Sequence, residues 1–316
     1  MDGPGQRPVL EATNISKSYG ARAALRGVTL SVHRGEIVGL LGPNGAGKTT
    51  TLSILSTQMC PDSGEVLIGG RSSESAGTGR LLGLVPQSLA FYPTLSGAQN
   101  VIHFGRMQGL SRGEAEDACA DILEEVGLTE RAHDPVQSYS AGMQRRLNLS
   151  CGMVHRPAVL LLDEPTVGVD LQSRERILTL VRHAAEASSA VIYSTHYMEE
   201  AERLCDRVLL IDRGKLVAEG KIEEVIALGG GRPRMELTYR GALPKRWSES
   251  IPGIRESTVS RGEGKLVLEM TNLGQVSEIL LALQALEMNV IDFNLHSPNL
   301  SDAFIALTGR TLRDNL

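Results

Sequence analysis

The chain has 316 residues, with 32 Lys and Arg against 37 Asp and Glu and a formal charge of -5. At about 150 residues per domain this length suggests two domains and excludes a miniature stapled scaffold, while the absence of a basic surplus argues against a nucleic-acid partner. The four cysteines form no CxxC pair, the amino terminus MDGPGQRPVL carries no apolar signal core, and no aliphatic run approaches the ~20 residues of a membrane span. A chain kept in a reducing cytoplasm, with no span of its own, is the expectation.

Short apolar runs alternate with longer helical patterns from the start to about Ala227. EIVGLL at 36–41 reads as a buried strand and is followed by the helical run TTTLSILST; LLGLV at 81–85 is a second strand. Strand signals then stop. GAQNVIHFGRMQG, GEAEDACADILEEVG and AGMQRRLNLSCGMV read as consecutive helices, a helical subdomain over about 92–155 that interrupts the sheet. AVLLL at 158–162, AVIYS at 190–194 and RVLLI at 207–211 resume it. Such alternation is the mark of an α/β domain.

The glycines and proline of LGGGRPR, 228–234, end the helix KIEEVIAL and place a linker there, giving domains at 1–229 and 230–316. Beyond it RMELTY, IRESTV, KLVLEM and NVIDFNL alternate like strands. LGQVSEILLALQAL keeps a helical period through Val276, Ile279, Leu280, Leu283 and Leu286, and NLSDAFIALTG is a short helix closed by Gly309. The second domain is therefore a small α+β unit. His296 and Asp302 stand alone in it and read as structural.

GPNGAGKT at 42–49 fits GxxxxGK[ST] between a strand and a helix, the context this phosphate-binding loop requires. Gly42, Gly45 and Gly47 let the loop through Pro43, Asn44 and Ala46 turn with its available N–H groups inward, proline having none, and the helix N-terminus adds partial positive charge. Lys48 would reach the β- and γ-phosphates and Thr49 would offer a hydroxyl to Mg²⁺, with Thr50 next in the helix. AVLLLDEP at 158–165 ends a buried strand on two acids. Asp163 is the candidate Mg²⁺ ligand and Glu164 the candidate base that orients and deprotonates the attacking water.

Between these two motifs lies SYSAGMQRRL at 138–147, and with it the chain resembles the nucleotide-binding subunits of ATP-binding cassette (ABC) transporters. That family carries LSGGQ here, or LSGGM and YSGGM followed by RR in one bacterial export branch. Ser140, Gly142 and Met143 match; Ala141 replaces a glycine. The resemblance extends, in order, to Tyr19, where the family stacks an aromatic on adenine, to Gln87 in GLVPQS, the Q-loop residue that senses Mg²⁺ and water, to Asp170 in TVGVD, which faces a dimer interface, and to His196 in VIYSTHYMEEAE, which contacts the γ-phosphate. No NKxD guanine motif appears.

The resemblance implies a P-loop NTPase cassette using ATP and Mg²⁺, with Lys48, Gln87, Glu164 and His196 catalytic and Thr49, Gln87 and Asp163 at the metal. It implies that Ser140, Ala141 and Gly142 serve the nucleotide of a second copy, so that a head-to-tail homodimer closes two composite sites. It further implies a separate membrane permease docked around Gln87 and FYPTLSGAQN at 91–100, and a location at the cytoplasmic face of the inner membrane. DEPTVGVD, the RRL after the signature and the terminal DAFIALTGRTLRD look like the branch that exports drugs, antibiotics or lipo-oligosaccharides. A soluble cassette ATPase acting on DNA or ribosomes is the alternative, and a nucleotide sensor without turnover a third. Ala141 is expected to penalise a positive φ and to crowd the phosphate, slowing hydrolysis.

Overall fold

A computed structural model describes residues 7–241, 259–262 and 264–309. The chain divides into two compact units, the first ending at Val225 and the second beginning at Ile226, four residues before the break expected from the glycines.

The first unit opens with a hairpin, β1 (Leu10–Tyr19) and β2 (Arg22–Val32), and continues into β3 (Ile37–Leu41) and α1 (Lys48–Leu55). Next come β4 (Ser63–Ile68), β5 (Arg71–Ser72) and β6 (Leu82–Val85). Three helices interrupt the strands: α2 (Gly97–Met107), α3 (Arg112–Glu125) and α4 (Ala141–Met153). The strands return as β7 (Val159–Asp163), followed by α5 (Leu171–Glu186), β8 (Ala190–Thr195), α6 (Met198–Leu204), β9 (Arg207–Asp212) and β10 (Lys215–Gly220), and α7 (Ile222–Leu228) runs across the boundary between the units.

Six strands form one sheet in the order β10-β9-β3-β8-β7-β6, in which all neighbours are parallel except the antiparallel β9–β10 pair. Every residue of β3 and of β7 is buried, as a strand covered on both faces must be, and this is why both read as unbroken apolar runs. The loops that leave β3, β7 and β8 gather at the carboxyl ends of adjacent strands, where an open α/β sheet places its ligand.

A second, antiparallel sheet, β2-β1-β4-β5, has no counterpart among the predicted strands. Its pairings slip at Ala12/Ile15, Ile15/Lys17 and Lys17/Ser18, and each bulge breaks the two-residue alternation that identifies a strand. Its buried face, with Leu10, Ile15, Leu25 and Ile68, joins the core of the parallel sheet. Serines fix the helix starts: Ser96 caps α2 and Ser111 caps α3 in reciprocal boxes with Gln99 and Glu114.

The second unit is an antiparallel sheet in the order β12-β13-β11-β14, built from β11 (Arg234–Arg240), β12 (Val259–Gly262), β13 (Lys265–Glu269) and β14 (Asn289–His296). Helix α8 (Val276–Ala285) lays Ile279 and Leu283 on Met235, Leu237, Leu266 and Leu268 of its own sheet. Most of the strand expected at IRESTV lies outside the described residues, and β12 begins at its last residue. Helix α9 (Leu300–Thr308) ends on Gly309 at φ 69°, and Asp302 serves its capping box with Asn299. His296 stands 3.7 Å from Glu236.

Candidate active site

The loop from β3 to α1 passes through Gly47, the N-cap of α1, at φ 116°, a conformation that side chains rarely adopt. The α1 residues that follow are thereby aimed back across the sheet end. Lys48 is buried, and its ammonium donates to the carbonyls of Gly42 at 2.8 Å and Pro43 at 3.2 Å. Thr49 Oγ1 donates to Asp163 Oδ2 at 3.0 Å, and Asp163 Oδ1 accepts from Ser194 Oγ at 3.0 Å. The end of β7 is thus tied to α1 on one side and β8 on the other.

Glu164 is the hub. Its φ of 46° is left-handed, at a cost of about 1 kcal/mol for a residue with a side chain, and its N–H donates to the Ser194 carbonyl at 3.1 Å. This turn swings the carboxylate into a ring of partners. Oε1 lies 3.2 Å from Lys48 Nζ and 3.2 Å from His196 Nδ1, the latter without hydrogen-bond alignment, and Oε2 accepts from Gln87 Nε2 at 3.3 Å. Four residues from four separate segments of the chain meet at one carboxylate. A base surrounded by donors of this kind is held in a single orientation, the requirement for directing one water at one phosphorus.

Beside this hub opens a cleft of about 990 Å³. Tyr19, Asn44, Gly45, Gly47, Lys48, Thr49, Thr50, Gln87 and Glu164 line it, with half-exposed Tyr19 at its rim. Arg22, Arg26 and Arg213 line it too and were not foreseen from the sequence. Their charge favours a polyanion. Ala46 is buried, Asp163 stands behind Thr49, and His196 reaches the cleft through Glu164. Thr49 and Asp163 form a hard oxygen pair that suits Mg²⁺. Among the described residues no cluster of three His, Cys, Asp or Glu side chains could hold a metal alone, so phosphate and water oxygens would complete its shell.

Ser140, Ala141, Gly142 and Asp170 do not line this cleft. Ser140 caps α4 and accepts from Met143 N at 3.3 Å; Asp170 caps α5 and accepts from Ser173 N and Ser173 Oγ, both at 2.9 Å. Those hydrogen bonds, the backbone one first, hold the Asp170 carboxyl below its usual range. The two helix starts touch: a Cβ on Gly142 would fall on Ser173 Oγ and 2.9 Å from Ser173 Cβ.

The expectation of a conformational penalty at Ala141 is corrected here. Ala141 is absent from the residues at positive φ; it is the first residue of α4, with an exposed side chain, and a helix accepts alanine without strain. Ala141→Gly should therefore leave ATP binding unchanged, keep or raise turnover and lower stability by at most about 1 kcal/mol. Gly142→Ala should cost about 1–3 kcal/mol by prising α4 from α5. Thermal unfolding and steady-state turnover of the two variants check the contrast.

The model of the family described as ABC transporter matches residues 25–167. The linearmycin resistance ATP-binding protein LnrL of Bacillus subtilis is 42% identical over 97% of this chain and 100% of its own length. The chain belongs to the ATP-binding subunits of ABC transporters. A second relative, the Nod factor export ATP-binding protein I of Ralstonia nicotianae, is 36% identical over 99% of this chain and 97% of its own. The dimeric structure of MJ0796, a bacterial ABC transporter cassette, superposes with a TM-score of 0.62 at 25% identity, covering 67% of this chain and 98% of that one. This ABC subunit is accordingly an ATPase with a P-loop NTPase fold, and its relatives give no support to action on DNA or ribosomes.

Two buried polar residues of the ABC unit escaped the sequence reading. Arg145 donates to the carbonyl of Gln87 at 2.6 Å and to that of Val167 at 3.0 Å, while burial lowers its pKa. Asn148 donates to the Pro86 carbonyl at 3.1 Å and accepts from Ala90 N at 3.0 Å. One turn apart on α4, they grip both the loop carrying Gln87 and the loop after Glu164. The available signal was a charged pair, Arg145 and Arg146, inside an otherwise inward-facing helix.

Proposed function

We propose that this chain is the ATP-hydrolysing engine of an exporter, two copies of which clamp two ATP molecules while a separate membrane permease carries the cargo. The observation that carries the reading is the convergence of Lys48, Gln87 and His196 on Glu164, next to the Thr49–Asp163 pair. In this reading Tyr19 stacks on adenine, and the N–H groups of residues 44–49 cradle the phosphates. Lys48 binds the β- and γ-phosphates. Bound by Thr49, Asp163 and Gln87, Mg²⁺ would neutralise charge that builds on the phosphate oxygens. Glu164 orients a water and takes its proton as the water oxygen bonds to the γ-phosphorus and the bond to the β-phosphate oxygen breaks. His196 holds the γ-phosphate.

The positions of Ser140 and Asp170 outside their own cleft favour service to a second copy. The start of α4, with the Ser140 hydroxyl, favours an anion, and a partner's γ-phosphate is the anion a head-to-tail dimer would bring there, while the start of α5 is already capped by the Asp170 carboxylate. Among the described residues no helix is long and apolar enough to cross a membrane. Leu89 and Tyr92, exposed apolar side chains in the segment after Gln87, suit contact with a permease segment, and the Tyr92 ring is braced edge-on by His103 at 5.1 Å. The subunit would then sit at the cytoplasmic face of the membrane.

The names of the relatives, resistance to linearmycin and export of Nod factor, favour a drug, an antibiotic or a lipo-oligosaccharide as cargo. Co-expression with the membrane protein encoded beside it should yield a complex whose ATP turnover responds to cargo, and loss of the chain should sensitise the cell to that compound. Purification with ribosomes or DNA in place of a membrane protein would overturn the proposal.

A further inference from the structure

We propose that Glu200 is a positioning residue for ATP hydrolysis, a buried carboxylate that locks the turn carrying His196 to the segment after Glu164; the inference rests on the ATPase reading above. Glu200 is only 4% exposed and lines no part of the nucleotide cleft. One of its oxygens, Oε2, accepts three hydroxyl hydrogen bonds: from Tyr193 at 2.7 Å, from Thr166 at 2.9 Å and from Thr195 at 3.3 Å. Thr166 lies two residues beyond Glu164, and Tyr193 and Thr195 flank Ser194 at the end of β8.

Those attachments surround the hub without touching it. Ser194 bonds Asp163 through its hydroxyl and Glu164 N through its carbonyl. Thr195 Oγ1 also accepts from Tyr197 N at 2.9 Å, closing the turn on which His196 sits, and the Tyr197 ring lies 4.2 Å from the His196 ring. On the far side Arg174 of α5 places its guanidinium 5.3 Å from the Tyr197 ring and Nε 3.3 Å from Glu200 Oε1. Neither Arg174 Nε nor Glu200 Oε1 makes a hydrogen bond. Through Arg174 the network reaches the helix that Asp170 caps.

Burial of a carboxylate is costly, and apolar packing of equal volume would hold these elements together at least as well. What the carboxylate adds is direction: three hydroxyls, two from the end of β8 and one from the segment after Glu164, must point at one oxygen, which fixes how the His196 turn stands relative to Glu164. Burial first, and the Glu200 charge second, push the Tyr193 phenol well above its ordinary pKa, so it remains a donor. The charged groups around Glu200 are Arg174 and, acting through charge alone, Arg203; the Cys205 thiol also feels the Glu200 charge, and the hydrogen-bond partners of Glu200 are neutral hydroxyls.

The test uses the purified full-length chain. Glu200→Gln should lower kcat about tenfold or more while KM and the dissociation constant for ATP stay within about twofold, and Tyr193→Phe, which removes one donor and little volume, should lower kcat about threefold. In a His196→Ala background, Glu200→Gln should cost less than about twofold more, because both changes remove the same placement. A kcat retained within twofold, a parallel loss of affinity and kcat, or a full tenfold loss on top of His196→Ala would each overturn the inference. If Glu200→Gln fails to fold, Tyr193→Phe alone decides by the same split. A parent turnover that survives Glu164→Gln would instead overturn the ATPase reading.

Discussion

Lys48→Ala should raise the dissociation constant for ATP about a hundredfold or more, a loss of about 2.7 kcal/mol, and abolish turnover. The ammonium holds the carbonyls of Gly42 and Pro43, pairs with Glu164 and, in the proposed reading, binds the terminal phosphates. Alanine removes a charge-assisted bond to phosphate, worth about 1.5–3 kcal/mol. It also leaves a buried carboxylate, 5% exposed, facing the incoming anion with only Gln87 and His196 beside it. The second effect adds to the first. Titration with a fluorescent ATP analogue, with circular dichroism to verify folding, provides the measurement. Affinity kept within threefold would remove Lys48 from the phosphate site.

Glu164→Gln should slow hydrolysis by about a factor of 10²–10⁴, the usual contribution of a positioned base, while ATP binding is kept or tightened. The amide preserves the shape of the side chain and the backbone turn at φ 46°, but it cannot accept a proton. It also releases Lys48 from a competing carboxylate, so the ammonium is left for phosphate oxygens. ATP bound but not cleaved should hold two copies together. Size-exclusion chromatography of the variant with ATP and Mg²⁺ would then show dimers that the parent loses on turnover. Phosphate release within tenfold of the parent rate would sink the assignment of Glu164 as base.

The parts of the site that are contiguous in the chain were legible. GPNGAGKT between strand and helix, and two acids ending a fully apolar strand, carry their geometry in their spacing. His196 and Gln87 were legible only by resemblance, since a lone histidine or glutamine at a strand end has no intrinsic meaning; the structure places both on Glu164. Glu200, Arg145 and Asn148 were not legible, because each acts on partners brought near by the fold: Glu200 on Thr166, 34 residues away, and Arg145 on Gln87, 58 away. The expectation of a positive φ at Ala141 went wrong for a local reason. A glycine in a family motif suggests a need for positive φ, whereas the steric demand falls on Gly142, against Ser173. In the fold, the fully buried parallel strands declared themselves, while the bulged β1 concealed the antiparallel sheet.

Arg145 gives this arrangement a mechanical character. One guanidinium is riveted to the carbonyls of Gln87 and Val167, and it belongs to the helix that Ser140 opens. A tug on the 86–90 loop is resisted there, because slipping either carbonyl away would leave a buried cation with one of its two acceptors. Displacement is therefore cheaper when loop and helix travel as a single stiff piece. In the proposed reading, a push delivered at the Leu89–Tyr92 surface would pass through that piece to the helix end that would grip a neighbour's nucleotide.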